Sequence, residues 1–329
     1  MTNRRDVLAG GIAALSAAAL APYAAFAQAK FPERPIKLVV PFSAGGVNDV
    51  VGRQWADKMR GSLGAVYVEN QGGAGGSLGA VDVLRSAPDG HSLFLGSTST
   101  MVLNSMTNPG LPYDPAKFEP IYILCVSSTS IAVHPSVPAK NVKEFLVWAK
   151  ANPGKLSYGS AGTGTMSHLS GELFKQLTGI NDMTHIPYKG AGPGITDLVS
   201  GHISVMSPNI TGQLLQLHRS GKIRILAINS PQRLGAVPEI PTAIEEGVPN
   251  MIGQLFLGIY APVGTPKPVI DQIAGATRTA LLDPAYQKAL SDSGFEPVAN
   301  SGPEPAKRYM IEEKTRWTPV VQAIGLKVQ

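Results

Sequence analysis

The chain has 329 residues, 43% hydrophobic and 16% charged, a globular balance that excludes a disordered chain and is long enough for two domains. Its formal net charge is +5, yet the basic residues are scattered, often beside acidic ones (Lys143-Glu144, Glu312-Glu313-Lys314), which argues against a nucleic-acid stripe. The single cysteine, Cys125 in the apolar run Ile121 to Val126, excludes an internal disulfide and reads as a buried small hydrophobe.

Arg4-Arg5 precedes a run rich in Ala, Leu and Gly from Val7 to Ala21, and Ala25 and Ala27 supply an A-x-A type cleavage site. Residues 1–27 therefore read as an export signal of twin-arginine type, with a Sec-type signal as the alternative. No later apolar run approaches the ~20 residues needed to span a bilayer. The expectation is a mature chain that begins near Gln28 and is soluble in the periplasm.

The stretch that organises the rest is Ile36 to Arg53: a buried strand, a Pro-Phe-Ser-Ala-Gly-Gly turn, and a helix opening near Asn48, read as its cap, and Asp49. Such a turn aims free backbone N–H groups at an anion, and the turn itself carries no cation, since no Lys or Arg occurs between Lys37 and Arg53. The same grammar of strand, small-residue loop and helix recurs at Val66–Glu69 with Ser77–Ser86, and at Leu156–Gly159 with Ser167–Thr178. It recurs again at Met183–Ile186, where Pro187 to Gly194 reads as the loop. This alternation predicts parallel sheets covered by helices. Two β-type runs, Ile121–Val126 and Ile131–Val133, are separated by Ser127-Ser128-Thr129-Ser130, which suggests a crossing between domains. Further on, a short helix is expected over Glu239–Gly247 and a returning strand over Leu255–Ala261. Thr265 reads as the cap of a helix with Pro266 at its first position, and C-terminal helices follow.

Known catalytic templates fail. Gly159 to Thr165 lacks the lysine of a P-loop, and the dinucleotide fingerprint begun at Gly73-Ala74-Gly75 meets Leu78 where glycine is needed. There is no G-x-S-x-G elbow, no ligand spacing among the six histidines and no carboxylate pair suited to acid–base work. No catalytic residue, metal or cofactor is expected, and an enzyme is the weaker class. What remains is a set of hydroxyl- and glycine-rich loops at strand ends, where open α/β sheets bind ligands. Charge-assisted hydrogen bonds of roughly 1.5–3 kcal/mol each suffice for the roughly 8 kcal/mol of micromolar binding without a cation.

Several segments taken together are identified with a family. They are Arg34-Pro35-Ile36 through Pro41-Phe42-Ser43-Ala44-Gly45-Gly46 with Asp49, Val68-Glu69-Asn70 with Gly73-Ala74-Gly75-Gly76, and Leu111-Pro112-Tyr113-Asp114-Pro115. Pro153-Gly154-Lys155-Leu156, Ser160-Ala161-Gly162-Thr163-Gly164-Thr165, His185-Ile186-Pro187-Tyr188-Lys189-Gly190 and Tyr260-Ala261-Pro262-Val263-Gly264-Thr265-Pro266 complete the set. In this order, over essentially the whole mature chain, they resemble the Bug family, the extracytoplasmic receptors of tripartite tricarboxylate transporters.

The resemblance implies a two-lobed periplasmic-binding-protein fold (α/β, type II-like), each lobe a mostly parallel sheet flanked by helices with the ligand cleft between them. It implies one domain from residues 28–126 and 253–329 and a second from 127–252, and a monomer that takes a small organic carboxylate. In the first domain Phe42, Ser43, Ala44, Gly45 and Gly46 would hold a carboxylate together with Tyr188, Gly190 and Ala191 of the second, helped by ordered water that Asp49 orients. Ser97, Thr98, Ser160, Ala161, Gly162, Thr163 and His168 would line the rest, with Asn209 near the junction. The family often has an acidic residue before that asparagine; here the segment is Met206-Ser207-Pro208-Asn209. The expected ligand is therefore a non-amino organic acid. Ser43 stands where the family frequently has alanine or proline and offers an extra donor. The expected partners are membrane permease subunits. A sensor protein in their place, and a periplasmic enzyme with an oxyanion-type site, are the alternatives.

Overall fold

The computed structural model describes residues 31–154 and 156–325; the expected export signal, residues 1–27, lies outside them. From Arg34 onward the described chain forms one compact unit. It contains a six-stranded and a five-stranded sheet.

The first sheet begins with β1 (Ile36–Val40), in which Leu38, Val39 and Val40 are fully buried, as a strand covered on both faces requires. Each such side chain contributes about 1.5–3 kcal/mol. There follow α1 (Val47–Leu63), β2 (Val66–Asn70), α2 (Ser77–Arg85) and β3 (Ser92–Ser97). A π-helical turn, Ser99–Leu103, then runs into α3 (Asn104–Thr107) and leads to the long β4 (Phe118–Ser128). The chain crosses at Thr129 into the second sheet. That sheet is built from β5 (Ser130–Val133), β6 (Ser157–Ser160), β7 (Thr184–Pro187), β8 (Val205–Met206) and β9 (Arg224–Ile228). Its helices are α4 (Val142–Lys150), α5 (Met166–Thr178), α6 (Ala191–Ser200) and α7 (Gly212–Arg219). The return strand β10 (Gln254–Pro262) rejoins the first sheet, followed by α8 (Lys267–Leu281), α9 (Pro284–Asp292), β11 (Phe295–Pro297) and α10 (Pro303–Ile324).

The spatial orders are β11-β4-β10-β3-β1-β2 and β7-β6-β8-β5-β9. Pairing is parallel only where strand and helix alternate, in β2-β1-β3 and β7-β6-β8. Strand β10 is antiparallel to β3 and β4, and β5 to β8 and β9. The reason is the crossing itself: β5 and β10 each enter their sheet from the other one, so they run against the strands that lead toward it. This two-sheet arrangement is the α/β, two-lobed architecture expected of the chain; each sheet with its helices makes one lobe.

Alternation places Ile131 and Val133 in one apolar core of the second lobe and Ala132 in the other. In the first lobe Trp55 is fully buried and its indole N–H donates to Thr277 Oγ1 at 3.1 Å, tying α1 to α8. The crossing segments are interlocked: Thr129 N–H donates to Gly253 O, Gly253 N–H to Asn229 O, and Asn229 N–H to Thr129 O, at 2.7–2.8 Å. Helix α10 serves both lobes, with Tyr309 and Met310 against the first core and Val320 and Ile324 against the second.

Three local expectations are corrected. Residues 239–247 form turns, not a helix, because the run stops one turn on at Gly247, which has φ +88°. Pro266 rather than Thr265 caps α8; the Thr265 hydroxyl donates instead to Pro262 O at 2.8 Å. Of Pro187 to Gly194 only Tyr188 to Gly190 is loop, since β7 ends at Pro187 and α6 starts at Ala191.

Candidate functional site

The helices α1, α5 and α6, from both lobes, begin around one narrow cavity. From the first lobe it is lined by Gly46, Val47 and Asn48 at the start of α1, with Phe42, Ser99 and Leu255. The second lobe contributes Thr165 and Ser167 at the start of α5, Ala191 as the first residue of α6, and Ala161 and Asn209. The first amides of a helix have no acceptor within it, and each helix start carries about half a positive charge. No charged side chain lines the cavity. It holds about 20 Å3, enough for a group of roughly one water's size.

Asn48 is not the cap of α1. Gly46 takes that place in extended conformation (φ −90°, ψ 173°), and Asn48 becomes the second helical residue. Its side chain is 5% exposed, and its Nδ2 has no hydrogen-bond acceptor. Several buried side-chain polar atoms of the described chain lack a partner, and Asn48 Nδ2 is the one among them that belongs to the lining of this cavity.

Asp49 braces this turn from behind. Its carboxylate accepts from the Gly45 amide (3.1 Å), Arg53 Nε (2.9 Å) and Asn70 Nδ2 (3.0 Å). Burial pushes the group up, but the bonds from Arg53, the Gly45 amide and Asn70 outweigh it and hold the carboxyl below its usual range. Arg53, the nearest cation in sequence, is thereby directed to Asp49 and Asn70 and away from the cavity.

A second, roomier cavity of about 370 Å3 lies at the rim. Its lining includes Gly75, Asn104 and Asn108 from the first lobe and Gly162, Thr163 and Lys189 from the second. It borders the narrow one along the loop after β6, whose Ala161 and Thr165 face the narrow cavity and whose Gly162 and Thr163 face the rim. Lys189 is the only Lys or Arg lining either cavity, and no Asp or Glu lines them.

The lobes also touch directly. Met166 N–H donates to Ser99 Oγ at 3.0 Å. Ser43 does not aim its hydroxyl at the cavity: both Ser43 N–H and Oγ donate to Lys189 O. Of the residues expected at the site, the structure gathers Phe42, Gly46, Ala161, Ala191 and Asn209 around the narrow cavity and Gly162, Thr163 and Tyr188 around the rim. Ala44, Gly45, Asp49 and Gly190 are neighbours in the turns that carry these residues. Ser97 and Thr98 are buried beneath, with Thr98 Oγ1 accepting from Phe256 N–H at 2.9 Å. Ser160 and His168 line neither cavity. Ser160 Oγ is 2.7 Å from His185 Nε2, and His168 Nδ1 accepts from Gly164 N–H at 3.1 Å.

The family model for tripartite tricarboxylate transporter family receptors matches residues 51–326. The chain belongs to that family. Among solved structures of similar proteins is the periplasmic binding protein BugD, with a TM-score of 0.86 and 34% identity over 91% of this chain and 100% of that one. The R. palustris protein Rpa4515 with adipate aligns at TM-score 0.86 and 29% identity, over 90% of this chain and 99% of its own. MatC from Rhodopseudomonas palustris with bound malate aligns at 0.83 and 32%, over 88% and 100%. BugD is a periplasmic binding protein, in line with the family. Among the described residues of this receptor-family chain, no helix is long and apolar enough to cross a membrane.

The sequence reading missed Ser99, Thr165, Ser167, Leu255 and the place of Asn48 in the lining of the narrow cavity. The signal for Thr165 was present, a threonine three residues before His168 whose amide its hydroxyl accepts. Ser99 gave none, because the π-helical turn that presents it has no simple period.

Proposed function

We propose that the protein is an exported solute receptor that closes two lobes over a small, non-amino organic carboxylate and delivers it to membrane transporter subunits. The observation that carries this reading is the meeting of three helix starts and the unpartnered Asn48 amide in a cavity without a charged side chain. Such a site favours an anion through dipoles and amides. The absence of Asp or Glu from both linings leaves an ammonium group without a partner. The narrow cavity has room for one oxygen of the acid group at the helix starts, and the rim cavity, within the roughly 300–1,000 Å3 range of ligand sites, suits the rest of the molecule. Lys189 at the rim favours a second acidic group there. Adipate and malate on the two neighbours support the ligand class.

In this proposal the moving bodies are residues 28–126 with 253–329, and residues 127–252, turning about the Thr129–Asn229–Gly253 interlock. Export through the segment 1–27 and work in the periplasm follow from the sequence, and the family's name supports a permease as the partner. The hydroxyls at the helix starts have no His, Asp or Glu beside them in the lining, and those of Thr165 and Ser167 donate to Gly162 O and Ser207 O, which supports binding without turnover.

A thermal-shift screen of mono-, di- and tricarboxylates beside amino acids and sugars tests the reading. At a hundredfold excess over Kd a ligand stabilises the folded state by about 2.7 kcal/mol, so plain acids are expected to raise Tm by several degrees. A screen in which amino acids or neutral sugars alone raise Tm contradicts it.

A further inference from the structure

His168, on the first turn of α5, and His185, on β7, stack face to face with ring centroids 3.7 Å apart and planes within 6°. His168 is 4% exposed. Both rings direct a nitrogen to the same loop. His168 Nδ1 accepts from Gly164 N–H (3.1 Å), and His185 Nε2 is bonded to Ser160 Oγ (2.7 Å), which also contacts Gly162 N and O at 3.2 Å. Around the stack, Tyr158 packs on His185 at 5.0 Å, its hydroxyl donates to Glu172, and Glu172 is paired with Lys175 at 3.0 Å.

The pair therefore grips both ends of the segment Ser160–Thr165, which presents Ala161 and Thr165 to the narrow cavity and Gly162 and Thr163 to the rim. It also joins that segment to the start of α5, which supplies Ser167, and to β7, which leads to Tyr188 and Lys189. Gly162, at φ +136°, sits in backbone that favours glycine and needs holding in place.

We infer that His168 and His185 are positioning residues: without touching the ligand, they fix the Ser160–Thr165 loop in the shape that binds it. This rests on the carboxylate reading of the cavity. Accepting from Gly164 requires His168 to be unprotonated at Nδ1. Burial, then His185 and Lys175, push His168 down to about 3. Burial, against the pull of Glu172 and with Lys175, pushes His185 down to about 4. Both rings are thus neutral where the receptor works, as two rings in contact at this distance require.

The test uses the full mature chain and combines a ligand-free and a ligand-dependent readout. In the wild type, nitrogen NMR is expected to show His168 as the Nε2–H tautomer; an Nδ1–H tautomer overturns the proposal with no variant needed. His168→Asn keeps an acceptor near the Nδ1 position, whereas His168→Leu keeps bulk without one. At His185, His185→Gln keeps a polar partner for Ser160 Oγ, able to donate or accept, and His185→Phe keeps the ring without one. Loss of the loop bond is expected to speed amide exchange at Gly164 about tenfold in His168→Leu, with His168→Asn recovering to within about threefold. Binding of malate or adipate, whichever the wild type takes, is expected to follow the same order, as is the pair at His185. Equal behaviour of the variants that keep a polar partner for the loop and those that lack one overturns the proposal. If the wild type binds no acid while the exchange pattern holds, the carboxylate reading fails and the loop-positioning role stands.

Discussion

Ser43 and Lys189, 146 residues apart, meet across the cleft: the Ser43 amide and hydroxyl both donate to the Lys189 carbonyl at 3.1 Å. This contact is possible because glycines flank it. A β-carbon at Gly72 would lie 2.6 Å from Lys189 O, and one at Gly190 would lie 2.7 Å from Ser43 N. The glycine-rich loops therefore let two lobes come into backbone contact.

Gly192 gives the clearest test of that role. A β-carbon there would overlap the Ala44 carbonyl oxygen in the facing lobe while staying compatible with α6 itself. Gly192→Ala is expected to raise the free energy of the closed form by about 1–3 kcal/mol, weakening acid binding about five- to 150-fold without lowering Tm of the free protein. Scattering should show a more open average shape. Gly61→Ala is the control: a β-carbon there meets nothing within 4 Å in α1, so stability should rise by about 1 kcal/mol with affinity unchanged.

Asn48 should separate binding from stability. Its unpartnered Nδ2 is a buried donor without compensation in the protein. Asn48→Ala is expected to hold or raise Tm while weakening acid binding about tenfold, as loss of one charge-assisted bond implies. Asn48→Asp places a carboxylate against the anion and should weaken binding further. Calorimetric titration of all three proteins checks the order, and an Asn48→Asp protein that binds acids as well as wild type would refute it.

Asp49 should act on every ligand alike, because it holds the turn and lines neither cavity. Asp49→Asn is expected to weaken binding of short and long acids by the same factor. Its folded-state pKa is lowered, so its contribution to stability is complete above the unfolded value of about 4 and is lost as pH falls through the folded one. The Tm gap between wild type and Asp49→Asn should therefore be widest near neutral pH and close in strong acid. A gap that grows toward low pH would reverse the sign.

Lys189 should matter for the second acidic group only. With Lys189→Gln, dicarboxylates are expected to lose about 1 kcal/mol, the scale of an exposed ion pair, and monocarboxylates of equal length almost nothing. Equal losses for both classes in a paired titration would remove Lys189 from the rim site.

Much of this architecture was legible because strand-end loops of small residues have a strong local signature. Ile36–Val40 was readable to the residue, and Phe42, Gly46, Ala161, Ala191 and Asn209 do gather at one cavity. What escaped depends on distance. The run from Ala191 to Gly194 reads as loop in sequence, yet it opens α6, because its glycines answer to Ala44, Tyr188 and Met206 from elsewhere in the fold. Asn48 reads as a cap, since only the folded turn reveals that Gly46 has taken that position. His168 reads in sequence as one of the residues lining the cleft. Its stacking on His185, 17 positions later, is a tertiary fact that no spacing rule carries.

The central claim is that an acid group is held by helix starts and amides with no cation at the grip. Titration calorimetry of the strongest-binding acid against its neutral primary amide of the same chain length tests it most directly. The account predicts that the amide binds about a hundredfold more weakly, the loss of charge-assisted bonds of about 1.5–3 kcal/mol each. An amide that binds within about twofold of the acid would show that these helix starts do not select an anion.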